Sequence, residues 1–162
     1  MKSLLILLST LLLLSVNVNA ASKLTEKNIN KTLNAVKVAK EHKNLKSMSR
    51  HFMSRTSVSL TQQDIEDSHT SRFTLNEYKR HLSKKWKKVK SNLIEVKERN
   101  FAIETNGRSA LVKTTIVQTL EVNGVKTATT IYETTGIRLV KGKIYINYYS
   151  ARFMLNTAMK VN

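Results

Sequence analysis

The sequence predicts an α+β fold in which N-terminal helices pack on a strongly curved, cone-like antiparallel β-sheet. Three observations predict it. Apolar residues recur at helical spacing as far as Trp86, whereas the chain from Leu93 onward is rich in Val, Ile, Thr and Tyr. All four glycines, at 107, 124, 136 and 142, fall in the second half, and three of them stand in Asn-Gly or Lys-Gly pairs between long β-prone runs. No proline, low-complexity linker or internal repeat breaks the chain, so residues 21–162 are expected to form one domain.

Residues 1–20 read as a secretory signal peptide. Lys2 gives a positive start, Leu4 to Leu14 is apolar apart from Ser9 and Thr10, and Val18-Asn19-Ala20 has the pattern of a cleavage site. The apolar run is short for a membrane span, which takes about 20 residues; the alternative is an uncleaved N-terminal anchor. The expected product is periplasmic or secreted after cleavage near Ala20. With no cysteine in the chain, lipidation at a lipobox and disulfide stapling are both excluded. A domain of this length folds without either.

The first helix is expected from about Thr25 to Asn44, with Thr25 as N-cap, Glu26 in the first turn, and Ile29, Leu33 and Val36 on one face. A short second helical stretch carries Leu45, Met48 and Phe52. Thr56 to Thr61 alternates as a short edge strand, and polar residues 62–73 read as a loop. Thr74-Leu75-Asn76-Glu77 is a capping box, opening a helix with Tyr78, Leu82, Trp86 and Val89 on its apolar face. Four strands follow, at 94–105, 108–122, 125–140 and 143–155. Asn106-Gly107, Asn123-Gly124 and Lys141-Gly142 are the turns of a meander, and Gly136 marks a bulge or bend within a strand.

Charge is the strongest compositional signal: 28 Lys and Arg against 11 Asp and Glu give +17, of which signal cleavage would remove only Lys2. Such a surface attracts anions over roughly 8–10 Å in physiological salt. The basic face of the capped helix (Lys79, Arg80, Lys84, Lys87, Lys88 and Lys90) is the candidate contact for an anionic partner, whether lipid headgroup, polymer or acidic protein. A chain that meets its partners outside the cytoplasm is not expected to bind nucleic acid. The structural alternative is a solvated helix face.

The order of elements resembles the nuclear transport factor 2-like superfamily, including its ketosteroid isomerase and polyketide cyclase (SnoaL-like) groups, with their cystatin-like roll. Residues 43–52, ending in His51-Phe52, resemble its second-helix segment. Phe73 to Tyr78 resembles its capped helix start, and Gly136 to Ile144 its final hairpin. The resemblance implies a cone with a pocket. Enzymes of that group often carry an Asp just after the second helix, where this chain has Arg55. The isomerase trio of Asp base, Tyr and second acid has no counterpart here.

Candidate chemistry is sparse. Asp64, Glu66, Asp67 and His69 form an acidic cluster without the spacing of a calcium loop, and read as a solvated loop. The four histidines, at 42, 51, 69 and 81, lack zinc-ligand spacing, so neither metal nor cofactor is expected. The candidate pocket residues are His51, Glu104, Glu133, Tyr132 and Tyr148. An inward Glu in an apolar cone has the makings of a base, whereas an outward one pairs across strands. Trp86 reads as core.

The sequence therefore leads to an exported, non-enzymatic domain that binds an anionic partner or a small apolar ligand. Two alternatives stand beside it. One is an isomerase-, cyclase- or dehydratase-type enzyme using an inward carboxylate or His. The other is an assembly component of an envelope or secretion machine, forming a homodimer through the sheet.

Overall fold

The computed structural model describes residues 21–154 and 159–161; the signal-peptide reading of residues 1–20 lies outside them. Helix α1 (Glu26–Glu41) starts on a full capping box. The Thr25 side chain accepts from the Asn28 amide, and the Asn28 carboxamide oxygen accepts from the Thr25 amide at 2.8 Å. This satisfies donors that a helix start leaves orphaned. The helix buries Ile29, Leu33, Val36 and Ala39, each large aliphatic chain contributing roughly 1.5–3 kcal/mol. Helix α2 (Leu45–Ser49) is capped by Asn44 and buries Met48. Phe52 does not continue it but opens the first strand. Helix α3 (Leu75–Trp86) starts on the Thr74–Glu77 capping box and buries Leu75, Tyr78, Leu82 and Trp86.

The strands are β1 (Phe52–Gln63), β2 (Ser68–Thr74), β3 (Val89–Ile103), β4 (Ser109–Val122), β5 (Val125–Val140), β6 (Lys143–Met154) and β7 (Met159–Val161). They form one curved, unclosed sheet in the order β2-β1-β6-β5-β4-β3, with β7 beside the first residues of β5. Pairing is antiparallel except between β1 and β6, which run parallel. The helices cover one face, and the core lies between them and the sheet. The predicted architecture is thus the observed one, with that parallel pair as its departure.

Two local expectations are corrected. Residues 56–61 belong to a longer strand, β1, which lies between β2 and β6 and not at an edge. Residues 62–73 are mostly strand: β1 runs to Gln63 and β2 begins at Ser68. Strand β2 is the sheet edge and is largely exposed. It carries no apolar alternation because it buries almost nothing.

The turns at Asn123-Gly124 and Lys141-Gly142 have both residues at positive φ, 52° and 78° in the first, 49° and 74° in the second. This is the two-residue geometry that matches strand twist. Three single residues, Lys90, Lys97 and Asn147, are skipped by the strand register. Each is a bulge that reverses which side chains point inward. The third lies opposite Gly136, where a Cβ would stand 3.0 Å from Asn147 Oδ1 and 3.0 Å from Tyr148 Cβ. Gly136 thus marks a bulge, as expected, but the extra residue is in the partner strand.

Candidate functional site

The face of α3 that carries Tyr78, His81, Leu82, Lys85 and Trp86 forms one wall of a cavity of about 50 Å³. These positions are three or four apart, so they share one side of a helix. The opposite wall is the inner face of the sheet, with Ile94, Ile116, Ile131, Glu133, Tyr149 and Phe153. A second cavity, about 30 Å³, lies between α1 and the sheet. Both are lined by Lys40, Ile94, Ile116, Glu133 and Tyr149.

A polar cluster stands at that junction. Glu133 Oε1 accepts from Lys40 Nζ at 3.1 Å and, in a short hydrogen bond, from the Tyr149 hydroxyl. Lys40 Nζ also donates to Tyr149 Oη at 2.8 Å and lies 4.4 Å from the centre of that ring. The Tyr78 ring packs against Tyr149, with ring centroids 6.0 Å apart. The side chains of Lys40 and Glu133 are only 12% and 15% exposed. Burial works against the Lys40 charge, but the Glu133 carboxylate and the Tyr78 oxygen outweigh it and raise the ammonium above its ordinary range. Burial, then the negative Glu133, push the Tyr149 phenol well up, so it remains a donor. Glu133 Oε2 makes no hydrogen bond among the described residues, which leaves one carboxylate oxygen free to accept a proton or a donor.

Nearer the end of α3, His81 packs on Phe73, with ring centroids 5.2 Å apart. Burial and then the Lys85 charge hold its imidazole below the usual range, so it is neutral near pH 7. His51 is also depressed, by burial and then Arg50. These two shifts set a pH dependence. As pH falls below about 6.5, the unfolded chain takes up protons that folded His51 and His81 refuse, so stability declines until the folded imidazoles titrate. Urea midpoints are expected to fall between about pH 7 and 5.5. His81→Gln is expected to flatten that slope without abolishing it.

Of the five pocket residues expected from sequence, the structure brings only Glu133 into the cavity. Tyr132 and Tyr148 are 50% and 38% exposed on the outer face of the sheet. Tyr132 adjoins inward Glu133, and successive strand residues face opposite ways; Tyr148 is placed outside by the Asn147 bulge. Glu104 is exposed beside the β3–β4 turn, where Asn106 donates to it at 3.2 Å. His51 lies between α2 and β1, lines neither cavity, and has a buried Nε2 without a partner among the described residues. Tyr149, one of the four sheet tyrosines (with Tyr132, Tyr145 and Tyr148) that the sequence also offers as pocket residues, does line both cavities; sequence reasoning missed Lys40, Tyr78, His81 and Lys85. The signal for Lys40 was present: Ile29, Leu33, Val36 and Lys40 follow one stripe, and a cation on a buried stripe needs a buried partner.

The basic candidates Arg80, Lys84, Lys87, Lys88 and Lys90 are all exposed. Lys90 belongs to β3 and pairs with Glu121 at 3.0 Å. The acidic residues 64, 66 and 67 form the exposed β1–β2 turn. Among the described residues, no group of three or more His, Asp or Glu is arranged to hold a metal ion. No described helix is long and apolar enough to cross a membrane.

Helices closing one face of a long curved, unclosed sheet give this chain the nuclear transport factor 2-like fold. Solved structures of that fold superpose on this chain. One, from Novosphingobium aromaticivorans and provisionally described as a scytalone dehydratase, is 9% identical with a TM-score of 0.68, over 84% of this chain and 87% of its own. A hexachlorocyclohexane dehydrochlorinase from Novosphingobium barchaimii is 6% identical with a TM-score of 0.64, over 83% and 88%. A nuclear transport factor 2-like protein of unknown function from Pseudomonas putida is 11% identical with a TM-score of 0.58, over 78% and 84%. At these identities the likeness establishes the fold alone. No family model and no curated protein sequence matches the chain.

Proposed function

We propose that this chain is a small-molecule binding domain, exported by its N-terminal signal, whose ligand enters the cone and is fixed by Glu133, Lys40 and Tyr149. The observation that carries the reading is the buried ion pair where the two cavities meet. Apolar side chains of similar volume would serve stability as well or better in a core. A few convergent polar groups in an otherwise apolar cavity are what orients a small ligand. Glu133 Oε2 would take a hydroxyl or amine donor, and Lys40 and Tyr149 would donate to an oxygen. The basic row of α3 is a weaker candidate, because cations at the end of a helix also complement its dipole.

A second reading, an elimination or isomerisation enzyme, is favoured by one further observation: a carboxylate and a neutral imidazole line the same cavity. Glu133 or His81 would then take a proton from carbon, and Lys40 with Tyr149 would stabilise developing oxygen charge. Solved neighbours described as a dehydratase and a dehydrochlorinase support it by fold analogy.

The test is native mass spectrometry of the mature protein purified from its own host. A small-molecule adduct is expected on the wild type and not on the charge-free pair Lys40→Met with Glu133→Gln. A bare wild type that also shows no thermal shift with small apolar alcohols, ketones or carboxylic acids would sink the reading.

A further inference from the structure

Lys85 is the second cation on the cavity wall, and its setting differs from that of Lys40. Its ammonium lies 5.5 Å from the centre of the Phe153 ring, and no carboxylate stands within ion-pair distance among the described residues. It lines the cavity beside Leu82 and Trp86, seven residues beyond Tyr78, which is about 10 Å along a helix. The cavity thus has two polar ends: the inner one neutralised within itself, the outer one a solvent-exposed cation at the mouth whose one close partner among the described residues is an aromatic face. Desolvation by the neighbouring cavity wall lowers the Lys85 ammonium from its ordinary range even though the residue is exposed at the mouth, and no acid among the described residues offsets that effect. An anion from outside the chain would supply what the site lacks.

Resting on the cavity-binding reading above, we infer that the ligand is an amphipathic anion. Its apolar body lies along Leu82, Trp86, Ile116 and Ile131, and its carboxylate pairs with Lys85. The apolar wall excludes water from one side of that pair, which strengthens a charge-assisted hydrogen bond relative to one in bulk solvent.

Trp86 is the only tryptophan of the chain and lines the cavity, so its emission reports occupancy without a label. Octanoate and 1-octanol share an eight-carbon body and differ in the head, and titrations of both at physiological salt test the inference. Octanoate is expected to bind about tenfold more tightly, which corresponds to about 1.4 kcal/mol. The preference is expected to collapse in Lys85→Gln, to persist in Lys85→Arg, and to persist in Lys113→Gln, which removes an exposed charge elsewhere. Equal affinities in the wild type, or a preference that survives Lys85→Gln, would overturn the anionic class while leaving cavity binding in place. No response of Trp86 to either compound would overturn both.

Discussion

Replacing Lys40 by Met is expected to cost about 3 kcal/mol of folding stability, because it strands the Glu133 carboxylate in the core without its counter-charge. In a domain of this size that is roughly a 10 °C fall in melting temperature. Adding Glu133→Gln to the same chain is expected to restore most of the loss. Gln retains an acceptor for the Tyr149 hydroxyl and presents no unpaired charge. A double-mutant cycle by urea denaturation measures the coupling, expected to exceed about 1 kcal/mol. A Lys40→Met variant as stable as the wild type would mean that water reaches Glu133 in place of Lys40. The fully neutral pair is the informative chain: a domain that folds well without the charges and no longer holds a ligand separates use of the site from upkeep of the fold.

Deleting Ser150, a paired residue just beyond the bulge, is expected to have the larger effect, exceeding about 5 kcal/mol and so approaching the whole stability of an ordinary domain. Before the bulge, Ile144 and Ile146 face the core; after it, Tyr149, Ala151 and Phe153 do. Asn147 is the residue that the register skips, so its own removal would leave Tyr149 inward. Removing Ser150, which pairs with Thr134, would turn Ala151 and Phe153 to solvent and Arg152 inward with no acid placed to receive it, or close the bulge and turn Tyr149 out of the polar cluster. Loss of a cooperative urea transition, and of dispersed amide signals by NMR, is the expected readout. Asn147→Gly retains the residue count and removes a buried carboxamide oxygen that has no partner among the described residues; it is expected to stay within about 1 kcal/mol of the wild type. If the deletion folded normally, the registry argument would fail.

The same bulges explain what the sequence could and could not convey. Caps and tight turns were legible because their chemistry is local: Thr25, Thr74–Glu77, Asn123-Gly124 and Lys141-Gly142 each fix their geometry within four residues. The division into helices and sheet was legible because periodicity changes near Ser91. Inward and outward faces were not legible, because Lys90, Lys97 and Asn147 each reset the alternation and nothing in their identity announces it. Tyr132 and Glu133 could never both line a pocket without such a break between them, so one of the two had to face solvent. Strand β2 was missed for a different reason: an exposed edge has no apolar pattern to read. Lys40 and Lys85 were hidden by number, among 28 cations of which most are solvated.

The parallel pairing of β1 with β6 also bears on how the chain folds in time. The Thr56 hydroxyl meets the Ile146 carbonyl at 2.8 Å across 90 residues of sequence, and β6 is the strand that joins the N-terminal hairpin to the meander. Contacts of such separation must close a long loop before they return any energy, which places a fold of this kind in the slower, millisecond-to-second range. A nascent chain that has not yet exposed residues 143–154 has α1 to pack on β3 and most of its meander, but its β1–β2 hairpin has no strand to pair with. The domain is therefore completed from its C-terminal end, and a chain ending near Val140 would present two unpaired strand borders to solvent and to one another.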